Sequence, residues 1–294
     1  MTDEPLKQGG WHGEQLKVSF AKRGVEAVFI SLQDCFFDLS LDLNLDSNNS
    51  QSVKLPTFDS LPKAAFVRGI AGGTLQQITM RLNILHALTL SGVKIYNEPR
   101  AIERTVDKAM TSFLLHQYGI TTPQTWVCES RHIAHDIIEK SNKKLIIKPL
   151  FGSQGAGVRL LENNKLPLPQ DAFVDGVFYL QEYIDSGEKP HDYRVFVVNH
   201  QAVATMRRTG NTWLSNVAQG AACEAVEDSE IDRLAESAST ILNIDYCGVD
   251  IIRDQSGKLY VLEVNSIPAW RGLQGVTHVN IADMLVDDLL SKIA

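Results

Sequence analysis

The sequence predicts an α/β protein of the mixed, α+β kind, with an N-terminal α/β domain over residues 1–98 ahead of a larger mixed region. Three observations predict it. Helical stripes alternate with short β-branched runs through the first hundred residues. A glycine-rich loop joins two strand-like runs in the middle of the chain. A long antiparallel hairpin pattern lies near the C-terminus.

The elements follow in order. Leu16, Phe20 and Val25 mark the apolar stripe of a first helix, and "VEAVFISL" is strand-like. "DCFFDLSLDLNLDSNNSQSVKLP" is acidic, then polar and turn-rich, and reads as a surface loop. "AAFVRGI" is a short strand, "GTLQQITMRLNILHALTLSG" a helix stopped at Gly92, and "VKIYN" a strand closed by Pro99. "RAIERTVDKAMTSFLLHQYG" reads as one amphipathic helix ending at Gly119, followed by a strand in "ITTPQTWVCE" and a helix in "RHIAHDIIEKSN". "VFYLQEYID" and "DYRVFVVNHQAVATMRR" are further strands, and a helix runs from about Ser229 to Leu242.

Composition excludes some functions. The chain has 294 residues and a net charge of −7, so it lacks the excess of cations that nucleic-acid binding needs. No apolar run is long enough to span a bilayer. The four cysteines are scattered, which fits reduced thiols in a cytoplasmic protein, and the N-terminus "MTDEPLKQGG" carries no secretory pattern. The histidines form no ligand pattern; His132 and His135 belong to a solvated helix face.

The loop "KPLFGSQGAGV" is the first candidate site. Lys148 ends the apolar run "LIIK", and Gly152, Gly155 and Gly157 follow. A dinucleotide fold would continue into a helix, but "GVRLLENNKLPLP" has no helical stripe. The loop therefore joins two strands as a hairpin flap, whose exposed N–H groups can cover a phosphate chain. A buried Lys148 ammonium calls for an anion. The run "FYLQEYID" offers a hinge whose backbone groups can pair a purine edge.

The hairpin "GVDIIRDQSGKLYVLEVN" is the second. With the turn centred between Ser256 and Gly257, Asp250 lies opposite Glu263, and Asn265 points to the same face. Gly248, opposite Asn265, leaves room there. Two opposed carboxylates need compensation, and magnesium supplies it because it prefers oxygen ligands and leaves positions for water and phosphate. The competing reading is a polar face on an exposed edge hairpin, which the apolar "YVLEVN" opposes.

The order of these pieces, with "QEYI", "DYRVFVV", "LSNVAQGA", "GVDII" and "LEVNSIP", resembles the ATP-grasp superfamily and, within it, the RimK-like glutamate ligases. The resemblance covers about residue 97 to the C-terminus. It implies a pre-grasp domain over 1–98, a central ATP-grasp subdomain with the flap over 99–180, and a C-terminal subdomain with the magnesium site over 181–294. It implies that Lys108 and Lys148 contact the phosphates of ATP beneath a flap of Gly152, Ser153, Gly155 and Gly157. Gln181, Glu182, Tyr183 and Ile184 would hold adenine, Asp192 would lie near the ribose, and Ser215 and Asn216 near nucleotide and substrate. Asp250, Glu263 and Asn265 would hold two magnesium ions, with manganese an alternative.

The family element reads like "RSNLHRGG", whereas Leu214 and Gln219 stand here where arginines are expected. That shifts the catalytic load to Arg194, Arg207 and Arg208, with Asn216. The tail "NSIPAWRGLQGV" is closer to the RimK-related ligases of tetrahydromethanopterin-type coenzymes. The implied activity is amide ligation through an acyl phosphate, adding L-glutamate to a small-molecule carboxylate of the pterin or furan coenzyme type, or to a protein carboxylate. The enzyme would be a homo-oligomer. Alternatives are a ligation using another amino acid or a peptide, a kinase, and an ATP-binding regulatory protein with weak catalysis.

Overall fold

The computed structural model describes residues 1–2, 9–40, 52–152, 155–161, 165–166, 176–210, 212–213 and 221–293. Chain contacts divide it into two compact units. One comprises Met1–Ile102, Ala269–Arg271 and Asn280–Ala294; the other comprises Glu103–Pro268 and Gly272–Val279.

In the first unit, α1 (Gly10–Lys22) buries Leu16 and Phe20, as its stripe predicts. The strand-like run after it joins no ladder among the described residues, because a strand needs neighbours; the Thr2 N–H donates to its Ile30 carbonyl at 3.0 Å. The expected surface loop instead carries a two-stranded ribbon, β1 (Phe36–Phe37) against β2 (Val53–Lys54). Residues 41–51 lie outside the described residues. β3 (Ala64–Phe66) and β4 (Lys94–Tyr96) pair in parallel. They are joined by α2 (Leu75–Leu90), whose start is fixed by a Thr74–Gln77 capping box.

Continuing along the chain, α3 (Pro99–Val106) and α4 (Lys108–Gln117) replace the single helix expected there. Asp107 is the cause: its carboxylate accepts from the Ala109 and Met110 N–H groups and starts a new helix. Lys108 thereby becomes the first residue of α4.

The second unit holds two sheets. The first is four-stranded, in the order β5 (Thr125–Cys128), β8 (Phe178–Glu182), β6 (Leu145–Lys148), β7 (Arg159–Leu160). Its back face, with Leu145, Ile147, Phe178 and Leu180, packs on Ala134 and Ile138 of α5 (Arg131–Lys140). β6 and β7 are antiparallel, so the glycine loop does join two strands of a hairpin.

The second sheet is five-stranded and antiparallel, in the order β11 (Ala222–Ala225), β10 (Gln201–Thr209), β9 (His191–Val198), β12 (Tyr246–Arg253), β13 (Leu259–Asn265). α6 (Ser229–Leu242) covers one face, tied by Thr205 Oγ1 donating to Asp232 at 2.6 Å. The short α7 (Arg271–Gln274) precedes α8 (Ile281–Ser291). The apolar face of α8 carries Ile281, Leu285, Val286 and Leu289. It groups with the first unit, where Ser19 Oγ on α1 donates to Asp283 at 2.7 Å. The resemblance places residues 181–294 in one C-terminal subdomain, whereas chain contacts group Asn280–Ala294 with the first unit. Among the described residues no helix is long and apolar enough to cross a membrane.

Candidate active site

The face of the five-stranded sheet opposite α6 collects the charges. Asp250 on β12 lies between Arg194 on β9 and Glu263 on β13, and Asn265 pairs with Gly248. The sequence register reaches this pairing by two compensating steps. Near the turn the pairs are Arg253 with Leu259 and Ile251 with Val261, so the turn is shifted towards Asp254. A bulge between Asp250 and Ile251 then restores the opposition of Asp250 and Glu263. The space beside Gly248 is not left for a ligand: a Cβ there would meet Pro268 Cβ at 2.9 Å.

Period-two alternation decides which arginines belong here. Asp192, Arg194, Arg208 and Asp250 share one face and form a cluster in which all but the half-buried Arg194 are buried. Arg194 forks Asp250 through Nε at 2.7 Å and Nη2 at 2.6 Å. Arg208 forks Asp192 at 2.6 and 2.8 Å and reaches Asp250 at 3.2 Å. Arg207, the neighbour of Arg208, points to the other face and pairs with Glu224, so it stands apart from this cluster. Adjacent residues of a strand cannot both face one site, and "MRRT" already carries that signal.

The two aspartates meet opposite balances of burial and charge. Burial pushes Asp192 up to about 6 against the pull of Arg208. Burial acts on Asp250 in the same direction, but the Arg194 and Arg208 guanidiniums outweigh it and hold the carboxyl down at about 2. Asp192 is therefore placed as the partner of Arg208, with both its oxygens engaged by a guanidinium.

Lys108, at the start of α4, donates to the Gly152 carbonyl at 2.7 Å and lies 3.8 Å from Glu263. It links helix, flap and hairpin. Gly152, Gly155 and Gly157 have φ of 142°, 70° and 76°, conformations that only glycine adopts without strain. Lys148 is half-buried and donates to Gln181 Oε1 at 2.7 Å. Burial lowers it to about 8, with Glu263 and Asp250 opposing and Lys108 assisting that shift. The acceptor is thus a neutral amide, not the carboxylate that a buried ammonium would suggest.

The hinge is narrower than the sequence implies. The Glu182 and Tyr183 N–H groups already donate to the Gln124 and Lys144 carbonyls, both at 2.8 Å. The Glu182 carboxylate pairs with Lys143 at 2.9 Å, and the Gln181 side chain is 1% exposed. Ile184 is buried next to them. Ser153, Leu214, Ser215, Asn216 and Gln219 lie outside the described residues.

Asp250, Glu263 and Asn265 fit a hard divalent cation by chemistry, since all three offer oxygen from neighbouring strands. Glu263 and Asn265 are half-buried, while the Asp250 carboxylate is held by Arg194.

Comparison with known proteins gives one answer. The RimK-like ATP-grasp domain matches residues 105–289. The tetrahydromethanopterin:alpha-L-glutamate ligase of Methanococcus maripaludis is 30% identical over 288 residues, covering 96% of this chain and 94% of that protein. The protein of the same name from Methanocaldococcus jannaschii is 37% identical over 211 residues, covering 68% and 72%. Among solved structures, the ATP-grasp ligase PsnB complexed with a minimal precursor gives a TM-score of 0.75 at 21% identity, over 97% of this chain and 96% of that one. PsnB with minimal precursor, Mg and ADP gives 0.71 at 21% identity, over 96% and 94%. At these identities the likeness shows the fold, which is ATP-grasp.

Proposed function

We propose, from the premise that this chain belongs to the RimK-like ATP-grasp family, that it joins L-glutamate to an acceptor carboxylate. Membership makes the protein an ATP-dependent carboxylate–amine ligase. The observation that carries the site assignment is the convergence of Asp250, Glu263, Asn265, Arg194 and Arg208 on one sheet face, with Lys108 3.8 Å from Glu263. The names of the two archaeal relatives support glutamate as the amine and a pterin-type coenzyme as the acceptor. A furan-type coenzyme or a protein carboxylate would use the same chemistry.

The reaction is two displacements. The acceptor carboxylate attacks the γ-phosphorus of ATP, giving an acyl phosphate and ADP. The α-amine of glutamate then attacks the acyl carbon, losing a proton and expelling inorganic phosphate. Such transfers depend on positioning and charge neutralisation more than on covalent help. Magnesium, held by Asp250, Glu263 and Asn265, would neutralise the phosphates; manganese would serve the same oxygens, and Glu263 has a second oxygen for a second ion.

The chain supplies the rest. Lys108 and Lys148 would bring ammonium groups to the phosphates, and Gly152, Gly155 and Gly157 would belong to the cover over them. Shutting that cover keeps water from the acyl phosphate. Arg194 and Arg208 face the developing charge. With the Glu182 and Tyr183 N–H groups engaged internally, the Ile184 N–H and the Glu182 carbonyl are the hinge groups for adenine. Asp192 acts through Arg208. Ser153, Ser215 and Asn216 remain proposed contacts to nucleotide or substrate. The enzyme is expected to be cytoplasmic and homo-oligomeric.

The test is nucleotide binding and turnover in two variants. Lys148→Ala should lose ATP binding, and Glu263→Ala should abolish acceptor-dependent phosphate release while keeping the wild-type circular dichroism spectrum. Wild-type ATP consumption by Glu263→Ala would remove the metal assignment.

A further inference from the structure

Gln181 is the most enclosed polar residue near the site, and the hinge assignment leaves its side chain without a task. It sits on the central strand β8, diagonal to Lys148 and directly opposite Thr125. Its Oε1 accepts from Lys148 Nζ at 2.7 Å. Its Nε2 donates to Thr125 Oγ1 at 3.0 Å and to Tyr179 Oη at 3.2 Å. The Tyr179 hydroxyl in turn lies 2.7 Å from Ser112 Oγ, one turn beyond Lys108 on α4. A reversed amide would aim N–H donors at the ammonium, so the network fixes one orientation.

We propose that Gln181 is a positioning residue: its amide aims Lys148 at the triphosphate and, through Tyr179 and Ser112, ties that lysine to the helix bearing Lys108. The proposal rests on the reading of Lys148 as a phosphate ligand. A lysine stem is flexible, and fixing it before the nucleotide arrives removes an ordering cost from binding. One ammonium N–H goes to Gln181, leaving two for an anion. The groups facing Lys148 are Glu263 on β13, Asp250 on β12, Lys108 on α4 and Tyr179, whose ring centroid is 5.8 Å away.

The experiment is calorimetric titration with Mg·ATP from about pH 6 to 10, spanning the lysine's range. It needs no acceptor. Gln181→Met keeps length and removes both hydrogen-bonding ends. It should weaken ATP by about tenfold, the scale of one lost bond to a charged group. The alkaline limb of binding should move down by about one pH unit. Gln181→Glu places a carboxylate beside the ammonium and should move that limb up. If Gln181→Met does not fold, the opposite-signed shift in Gln181→Glu still decides the matter. An unmoved limb in the folded variants, with or without weaker binding, would overturn the proposal and leave Gln181 a packing residue. Lys148→Met separates the two levels. If it binds ATP like the wild type, the phosphate-ligand reading fails and positioning fails with it. If it loses binding while the Gln181 variants behave as wild type, only the positioning role is wrong.

Discussion

Replacing Arg194 by Met should make the protein less stable without a divalent cation and more responsive to one. Arg194 and Asp250 are directly opposite on β9 and β12, with two N–O distances of 2.7 and 2.6 Å and side chains 16% and 11% exposed. Removing one partner of a buried pair costs about 3–5 kcal/mol, because the other charge is left uncompensated. Here Arg208 remains 3.2 Å from Asp250 and carries part of that charge. The expected loss is therefore about 2 kcal/mol, or roughly 5 °C in Tm for a chain of this size. In the wild type a cation must displace the guanidinium fork to reach Asp250. In Arg194→Met it need not, so saturating Mg·ATP should raise Tm by more in the variant. The assay is thermal denaturation in chelator and in Mg·ATP. Equal melting of both proteins in chelator would refute the worth of the ion pair. An equal Mg·ATP response would refute the competition for Asp250.

Two further outcomes follow from the same face. Gly248→Ala places a methyl 2.9 Å from Pro268 Cβ and 3.8 Å from Arg194 Nε. Overpacking of this kind costs about 1–3 kcal/mol, so Tm should fall, and Mg·ATP should bind more weakly because Pro268 is three residues from Asn265. The folded carboxyl of Asp250 is depressed to about 2, so its stabilisation is present above the unfolded value near 4 and lost as pH falls from about 4 to about 2. In metal-free buffer the stability difference between wild type and Asp250→Asn should shrink by about 2 kcal/mol across that window. A difference independent of pH would mean that the guanidiniums do not depress this carboxyl.

Much of the site was legible because it rests on alternation. In "GVDIIRDQSGKLYVLEVN" a single hairpin register sets Asp250 opposite Glu263, and Asn265, two residues on, shares that face. The bulge beside Asp250 was not legible, since a bulge reflects local twist and no residue type announces it; the correct pairing emerged because the turn was displaced by a matching amount. Arg207 falls on the face opposite Arg208, as period two requires, and pairs there with Glu224. Asp107 carried a readable N-cap, yet the continuous apolar stripe on both sides concealed the break between α3 and α4. The extended run before Leu32 has β-type residues, but strand formation depends on partners far away in sequence. Gln181 stands in the sequence only as part of the "QEYI" hinge; its bonds to Lys148, Thr125 and Tyr179, and through Tyr179 to Ser112, appear only when the folded sheet and α4 bring these residues together.

The most direct measurement follows oxygen through the reaction. Candidate pterin- and furan-type carboxylates, labelled with heavy oxygen in the carboxyl group, are incubated with the enzyme, Mg·ATP and L-glutamate. Attack of that carboxylate on ATP predicts one labelled oxygen in each inorganic phosphate released, matched by one glutamyl amide in the product. Amide formed with unlabelled phosphate, or a product that retains its phosphate, would contradict ligation through an acyl phosphate.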